Sequence, residues 1–174
     1  MRALAAGTLT LEPQVAAHAE EMFAVLSDPA IYAWENAPPS SAEWLRERFR
    51  KLETRRSPDG RERWLNWVVR TPDEGLAGYV QATVHADASA AIAYEFASRF
   101  WGRGIARRSV AAMIDELALA YGVRSLFAIA VRANGRSLGL LGRLGFVAAD
   151  DARRVGLRVA PHEALLWRSL PDPP

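Results

Sequence analysis

A chain of 174 residues has the length of one domain with enough chain for a substantial core, and half-hydrophobic composition with 24% charged residues is that of a globular protein. A formal net charge of +2 gives little support to a general nucleic-acid role, and the absence of cysteine excludes disulfides, thiolate catalysis and cysteine-based zinc sites. No apolar run approaches the ~20 residues of a spanning helix, and Met1–Gly7 is too short in apolar residues for a secretory signal, so a cytoplasmic location is expected.

Leu9 to Leu11 reads as a first strand. Pro13 opens a helix whose apolar spacing runs through Ala16, Ala19, Met22, Phe23 and Leu26, and Asp28-Pro29 ends it. Trp34 to Pro39 is a loop. Ser40 or Ser41 then caps a polar helix through about Glu53, with Trp44, Leu45 and Phe49 as its apolar stripe. Three strands follow, Arg63–Arg70, Leu76–His85 and Ala90–Ser98, joined by turns too short for a crossover and therefore antiparallel. Gly104–Tyr121 is a long helix stopped by Gly122, Ser125–Val131 a buried strand, and Asn134–Leu144 a short helix ending at Gly145. A last hairpin is expected at Val155–Val159 and Ala164–Leu170, before a disordered tail at 171–174. The order β-α-α-β-β-β-α-β-α-β-β predicts one α+β domain over residues 1–174 with a mixed, mostly antiparallel sheet of about six or seven strands and about four helices.

The segment from Ala91 to Ala106 passes from strand to helix through Gly102 and Gly104, and carries Arg99 and Arg103, with Arg107 and Arg108 just beyond. No acidic residue lies between Glu95 and Asp115. A glycine turn aims backbone N–H groups at one point, and the helix behind it adds the positive end of its dipole, which suits a pyrophosphate. A bare glycine turn between strand and helix has the same appearance without any ligand.

Arg99-x-x-Gly102-x-Gly104 resembles the Q/R-x-x-G-x-G/A acetyl-CoA motif of the GNAT superfamily of N-acetyltransferases, and Trp101-Gly102-Arg103-Gly104-Ile105-Ala106 is similar to its RimJ/RimL-like branch. Asn134-x-x-Ser137, followed by Leu140-Leu141-x-x-Leu144-Gly145-Phe146, resembles the second landmark of that family at the spacing the family uses. The resemblance covers about residues 8–170. It implies a sheet splayed at the strand carrying Tyr94–Ala97, acetyl-CoA as acetyl donor, no metal, and an amine-bearing acceptor. Phe96 and Ala97 would hydrogen-bond the pantetheine arm; Arg99, Trp101, Gly102, Arg103, Gly104, Ile105 and Ala106 would cradle the phosphates; Asn134 and Ser137 would stand near the thiol.

Many members place a tyrosine acid four residues after the Asn-x-x-Ser serine; here that position is Leu141, which leaves Ser137 as the candidate proton donor. Ser137 also reads as a small residue chosen for close packing, and Asn134 as a helix N-cap. The candidate base is Glu95, flanked by Tyr94 and Phe96, with an outward-facing strand residue as the plainer reading; Glu35, beside Trp34, is another option. Trp34, Glu35, Asn66 and Tyr79 are candidate acceptor contacts. His18, His85 and His162 have no ligand spacing, so no metal site is expected.

The expected activity is direct transfer of acetyl to a primary amine, an acyltransfer onto an amino group: a protein N-terminus, a small amine metabolite or an amino-bearing antibiotic such as an aminoglycoside. Residues 41–70 hold nine Lys/Arg against five Asp/Glu, which disfavours polycationic acceptors. The rival is an acyl-CoA-binding module without chemistry, raised by Leu141. Expected partners are acetyl-CoA and the acceptor, with no nucleic acid or membrane, in a monomer or homodimer.

Overall fold

The computed structural model describes residues 1–34, 36–150, 153 and 158–171. Among them one mixed sheet of eight strands carries the fold, in the order β1-β2-β3-β4-β5-β6-β8-β7. The first five strands form an antiparallel meander: β1 (Leu4–Ala6), β2 (Leu9–Pro13), β3 (Arg63–Thr71), β4 (Gly75–Val84) and β5 (Ser89–Phe96). Helix α1 (Ala19–Leu26) packs on β4 and β5 and against α2 (Ala42–Leu52), and α3 (Ile105–Tyr121) packs on β1, β2, β4 and β5. After α3 come β6 (Ser125–Val131), α4 (Gly135–Arg143), the two-residue β7 (Val147–Ala148) and β8 (Glu163–Ser169).

The α+β class and the mostly antiparallel sheet stand as expected. The strand total exceeds the expected six or seven because β1 and β7, three and two residues long, are too short to show a period. Pro13 ends a strand rather than opening a helix. It lies opposite Trp67, and the next amide, Gln14 N–H, donates to Asn66 O at 2.9 Å, so the chain stays extended; α1 begins only at Ala19. β5, expected to run to Ser98, stops at Phe96, because Ser98–Phe100 coil into a 3₁₀ turn. β8 pairs with Val147–Ala148 as its outer neighbour, and Arg158 and Val159 carry no strand; the rest of the expected Val155–Val159 arm lies outside the described residues, as does most of the tail.

The feature that positions a site is the junction of β5 and β6. They run parallel and pair only from Ser89↔Ser125 to Ala91↔Phe127, although β5 continues to Phe96 and β6 to Val131. Beyond Ala91 the two strands part and the sheet opens. Gly78 lies opposite Phe96 at this point, and a Cβ there would stand 2.1 Å from Glu95 O and 2.7 Å from Phe96 Cα. Only glycine lets β4 run this close beside β5.

Candidate active site

One cleft of about 1190 Å³ follows the opening of the sheet. Single small ligands occupy pockets of roughly 300–1,000 Å³, so this volume has room for an extended molecule and a second, smaller one. At one end lie Gly102 and Gly104; at the other, Trp34, Asn66 and Tyr79; Glu95, Phe96, Asn134 and Ser137 lie along it.

The glycine end is built by the backbone. Gly102 (φ 74°) and Gly104 (φ 72°) both adopt the left-handed conformation, and no heavy atom lies within 4 Å of a Cβ added to either, so their main chain is open to a ligand. Gly104 caps α3 with no side chain satisfying the first-turn N–H groups. Asp28 holds the approach to this turn: its Oδ2 accepts from Ser98 N–H at 2.6 Å while its Oδ1 accepts from Ala30 N–H at 3.0 Å. The Ser98 side chain first, and then those two backbone bonds, hold its carboxyl below the usual carboxylate range.

Along β5, odd and even residues divide the work. Ala97 N–H donates to Ala77 O on β4 at 3.0 Å, and Ala97 O accepts from Phe100 N–H at 2.9 Å. Both backbone groups of Ala97, an expected pantetheine contact, are thus committed inside the chain. The alternation of an antiparallel strand turns the polar groups of Tyr94 and Phe96 the other way, into the gap left by β6. There Phe96 O accepts from the Trp101 indole N–H at 2.8 Å, and the Arg136 guanidinium stacks 3.9 Å over that indole. Trp101 therefore closes the edge of the cleft as well as lining it.

The side chains of β5 alternate too. Tyr94 points toward α4, where its hydroxyl lies 2.9 Å from Ser137 Oγ and 3.3 Å from Ser137 O. Burial raises the Tyr94 phenol to about 12, so it remains a proton carrier at neutral pH. Asn134 Oδ1 accepts from Ser137 N–H at 3.1 Å, so the N-cap role is real and also fixes Ser137. Glu95 points to the other face, beside Tyr79 directly across on β4. The Tyr79 phenol is pushed well above its ordinary value, first by burial and then by the Glu95 carboxylate to which it is hydrogen-bonded. Tyr32, whose hydroxyl donates to Leu26 O at 2.8 Å, is raised to about 12 by burial and by the charge of Glu95. Ile105 and Ala106 line the cleft behind the glycines.

Two expected contacts stand elsewhere. Arg103 pairs with Glu74 beside a separate small hollow, and Arg99 lies exposed over the Phe100 ring at 4.6 Å. Glu35 lies outside the described residues. Sequence reasoning missed Tyr94 as the partner of Ser137, although its place next to Glu95 on an alternating strand was the signal. It missed Gln14, Arg48 and Gln81, which line the acceptor end from three separate elements and carry no motif. Leu141, at the tyrosine position, is buried at 1% exposure. Among the described residues no group of three or more His, Cys, Asp or Glu is placed to hold a metal, and no helix is long and apolar enough to cross a membrane.

Known proteins share this architecture. The structure of the ribosomal-protein-S5-alanine acetyltransferase from Vibrio fischeri superposes with a TM-score of 0.76 at 19% identity, covering 96% of each chain. The RimL ribosomal L7/L12 α-N-protein acetyltransferase in complex with coenzyme A gives 0.77 at 16% identity, over 97% of this chain and 98% of that one. A spermidine N-acetyltransferase chimera from Vibrio cholerae SpeG and hSSAT gives 0.75 at 17% identity, over 94% and 96%. Among curated proteins nothing matches significantly. The model of the acetyltransferase (GNAT) domain matches residues 8–147, from β2 to the end of α4 and into β7, and so spans both the glycine turn and the Asn134–Ser137 cap: the chain belongs to the GNAT acetyltransferase family.

Proposed function

We propose that the protein transfers acetyl from acetyl-CoA to a primary amine directly, within a ternary complex. The observation that carries this reading is the single cleft joining the glycine turn, the unpaired edge of β5 and Glu95. Acetyl-CoA fits the residues present: Gly102 to Ala106 offer unobstructed backbone N–H groups at a helix N-terminus, with Arg107 lining the cleft beside them, for the pyrophosphate. The edge of Tyr94 and Phe96 offers an extended arm the hydrogen bonds that β6 does not make. When bound, acetyl-CoA supplies an activated thioester; the chain supplies orientation and proton transfer.

Glu95, with Tyr79 holding its carboxylate, takes a proton from the acceptor ammonium directly or through one water. As the new N–C bond forms and the C–S bond breaks, the Ser137 hydroxyl, positioned by Asn134 and Tyr94, would donate its proton to the departing sulfur and recover one shed by the acylated nitrogen, leaving a neutral amide and a free thiol. The full sequence holds no cysteine for a covalent relay, and Ser137 pairs with a tyrosine rather than a histidine, which favours direct transfer. Protein N-termini and spermidine, the acceptors named for the similar structures, are both primary amines, and the same chemistry serves either.

Thiol release from acetyl-CoA against a panel of amines tests the reading, with Glu95→Gln and Ser137→Ala beside wild type. Release with one amine class, reduced at least about tenfold in both variants, is expected. Tight acetyl-CoA binding without release for any amine would favour a binding module, and no binding would refute the assignment.

A further inference from the structure

The acceptor end of the cleft has an uneven charge pattern. Glu95 is the single carboxylate among its described lining residues. Arg48 of α2, held 5.8 Å from the ring of Trp44, lines the same cleft, as does Trp44. The other α2 arginines are occupied: Arg46 pairs with Glu43 and Glu20, and Arg50 with Glu47. Among the described residues no carboxylate pairs with Arg48. The neutral polar groups nearby are the Tyr32 and Tyr79 hydroxyls and carboxamides, with Asn66 and Gln81 directly opposite on β3 and β4 and Gln14 bonded to Asn66 through the main chain. Gln14 is 2% exposed, lines the cleft, and its Nε2 has no hydrogen-bond partner. A buried donor left unsatisfied destabilises the empty site, and that cost is recovered when a ligand brings an acceptor. Beyond the effect of burial, the Glu95 carboxylate raises and the Arg48 guanidinium lowers the Tyr79 phenol, and all three side chains line the same cleft.

We infer that the acceptor is a small zwitterion of free amino-acid type, its amine set at Glu95 and its carboxylate taken by Arg48, with Gln14 Nε2 as a further donor. The inference rests on the acetyltransferase reading and adds the substrate class. Among the described lining residues one carboxylate serves one ammonium, and a polyamine would bring a second cation against Arg48 with no second described carboxylate to meet it, whereas a guanidinium recognises a carboxylate in a charge-assisted, bidentate contact. The transfer itself is unchanged: the N–C bond forms, the C–S bond breaks, and the carboxylate takes no part.

The test is calorimetric titration of L-phenylalanine and L-methionine against their α-carboxamides, with and without CoA, on wild type, Arg48→Met and the control Arg50→Met. Spermidine and two peptides, Ser-Glu-Ala-Ala-amide and Ser-Gln-Ala-Ala-amide, complete the panel. The acids are expected to bind at least about tenfold tighter than their carboxamides in wild type and in Arg50→Met, with the ratio falling to within about twofold of unity in Arg48→Met. Equal binding of acid and amide, tighter spermidine binding, or an acid preference that survives Arg48→Met overturns the proposal. A preference seen only between the two peptides overturns the free amino acid as acceptor. Thiol release, read in parallel, separates this from the underlying reading. An Arg48-dependent acid preference without release for any amine would leave the recognition standing and remove the chemistry.

Discussion

Helix α3 carries glycine in the left-handed conformation at both ends, Gly104 at φ 72° and ψ 3° and Gly122 at φ 66° and ψ 24°. An added Cβ meets no heavy atom within 4 Å at either site. Alanine at each position therefore costs the same thing, the backbone strain of a left-handed L-residue, about 1–2 kcal/mol. For a chain of this length each kcal/mol lowers Tm by roughly 2–4 °C, so Gly104→Ala and Gly122→Ala should melt about 2–8 °C below wild type, and close to one another. Their effect on cofactor binding should differ. At Gly104 the methyl group would stand where the backbone must meet a pyrophosphate, and CoA binding should weaken at least about tenfold, equivalent to about 1.4 kcal/mol. At Gly122, at the far end of the helix, the dissociation constant should stay within about twofold of wild type. Scanning calorimetry reads the first quantity and isothermal titration with CoA the second. Matched melting with equal CoA affinity in the two variants would refute the phosphate cradle and leave Gly104 as a turn residue.

Tyr94→Phe removes the hydroxyl that positions Ser137, and kcat is expected to fall about 10-fold or more while the KM for acetyl-CoA changes little; an unchanged kcat would show that Ser137 needs no such partner. Because burial holds Tyr94 at about 12, above the ordinary value of 10.0, its contribution to stability is intact below pH 10. It is lost as pH rises toward 12, since the unfolded chain releases its proton first. Alkaline melting curves of wild type should fall more steeply over that window than those of Tyr94→Phe. Arg107 lines the cleft whereas Arg103 is paired with Glu74, so CoA affinity should drop several-fold in Arg107→Ala and stay within about twofold in Arg103→Ala. Asp28→Ala removes a cap and the Ser98 contact together and should destabilise by about 1–2 kcal/mol in urea melts. Since the Asp28 carboxyl is held low, that difference should be present at neutral pH and shrink as pH falls through the acid range.

The parts of the molecule legible in the sequence were those that speak through local rules. Ser41 caps α2 by accepting from Trp44 N–H at 3.0 Å, and Asn134 caps α4, because a short polar side chain before an apolar run has one local use. Gly102 and Gly104 announced the turn because positive φ is cheap only for glycine. What stayed hidden depends on register. That Ala97 spends its amide on Ala77 while Phe96 faces the gap follows from which strand lies on each side of β5. Arg103 looked equivalent to Arg107, and only the turn of α3 separates an arginine beside Glu74 from one beside the cleft. Gln14 and Arg48 are 34 positions apart and meet one cavity only after α2 folds across the sheet.

The open junction poses a structural problem that the same residues solve. Where β5 and β6 part, the sheet loses its ladder, and an unsupported gap would close on itself or fray. Side chains bridge it in place of backbone pairs. Tyr94 reaches from β5 to Ser137 on α4, and Trp101 returns its indole N–H to Phe96 O while Arg136 of α4 lies over its ring. These contacts tie the β5 wall to the helix that follows β6, at two points along the open edge. They set the width of the gap and leave the backbone of Tyr94 and the amide of Phe96 free on its face. The splay is thus a held-open edge rather than a failure of pairing. The hydroxyl pair that holds it open is also the pair to which the proposed mechanism assigns the proton transfer.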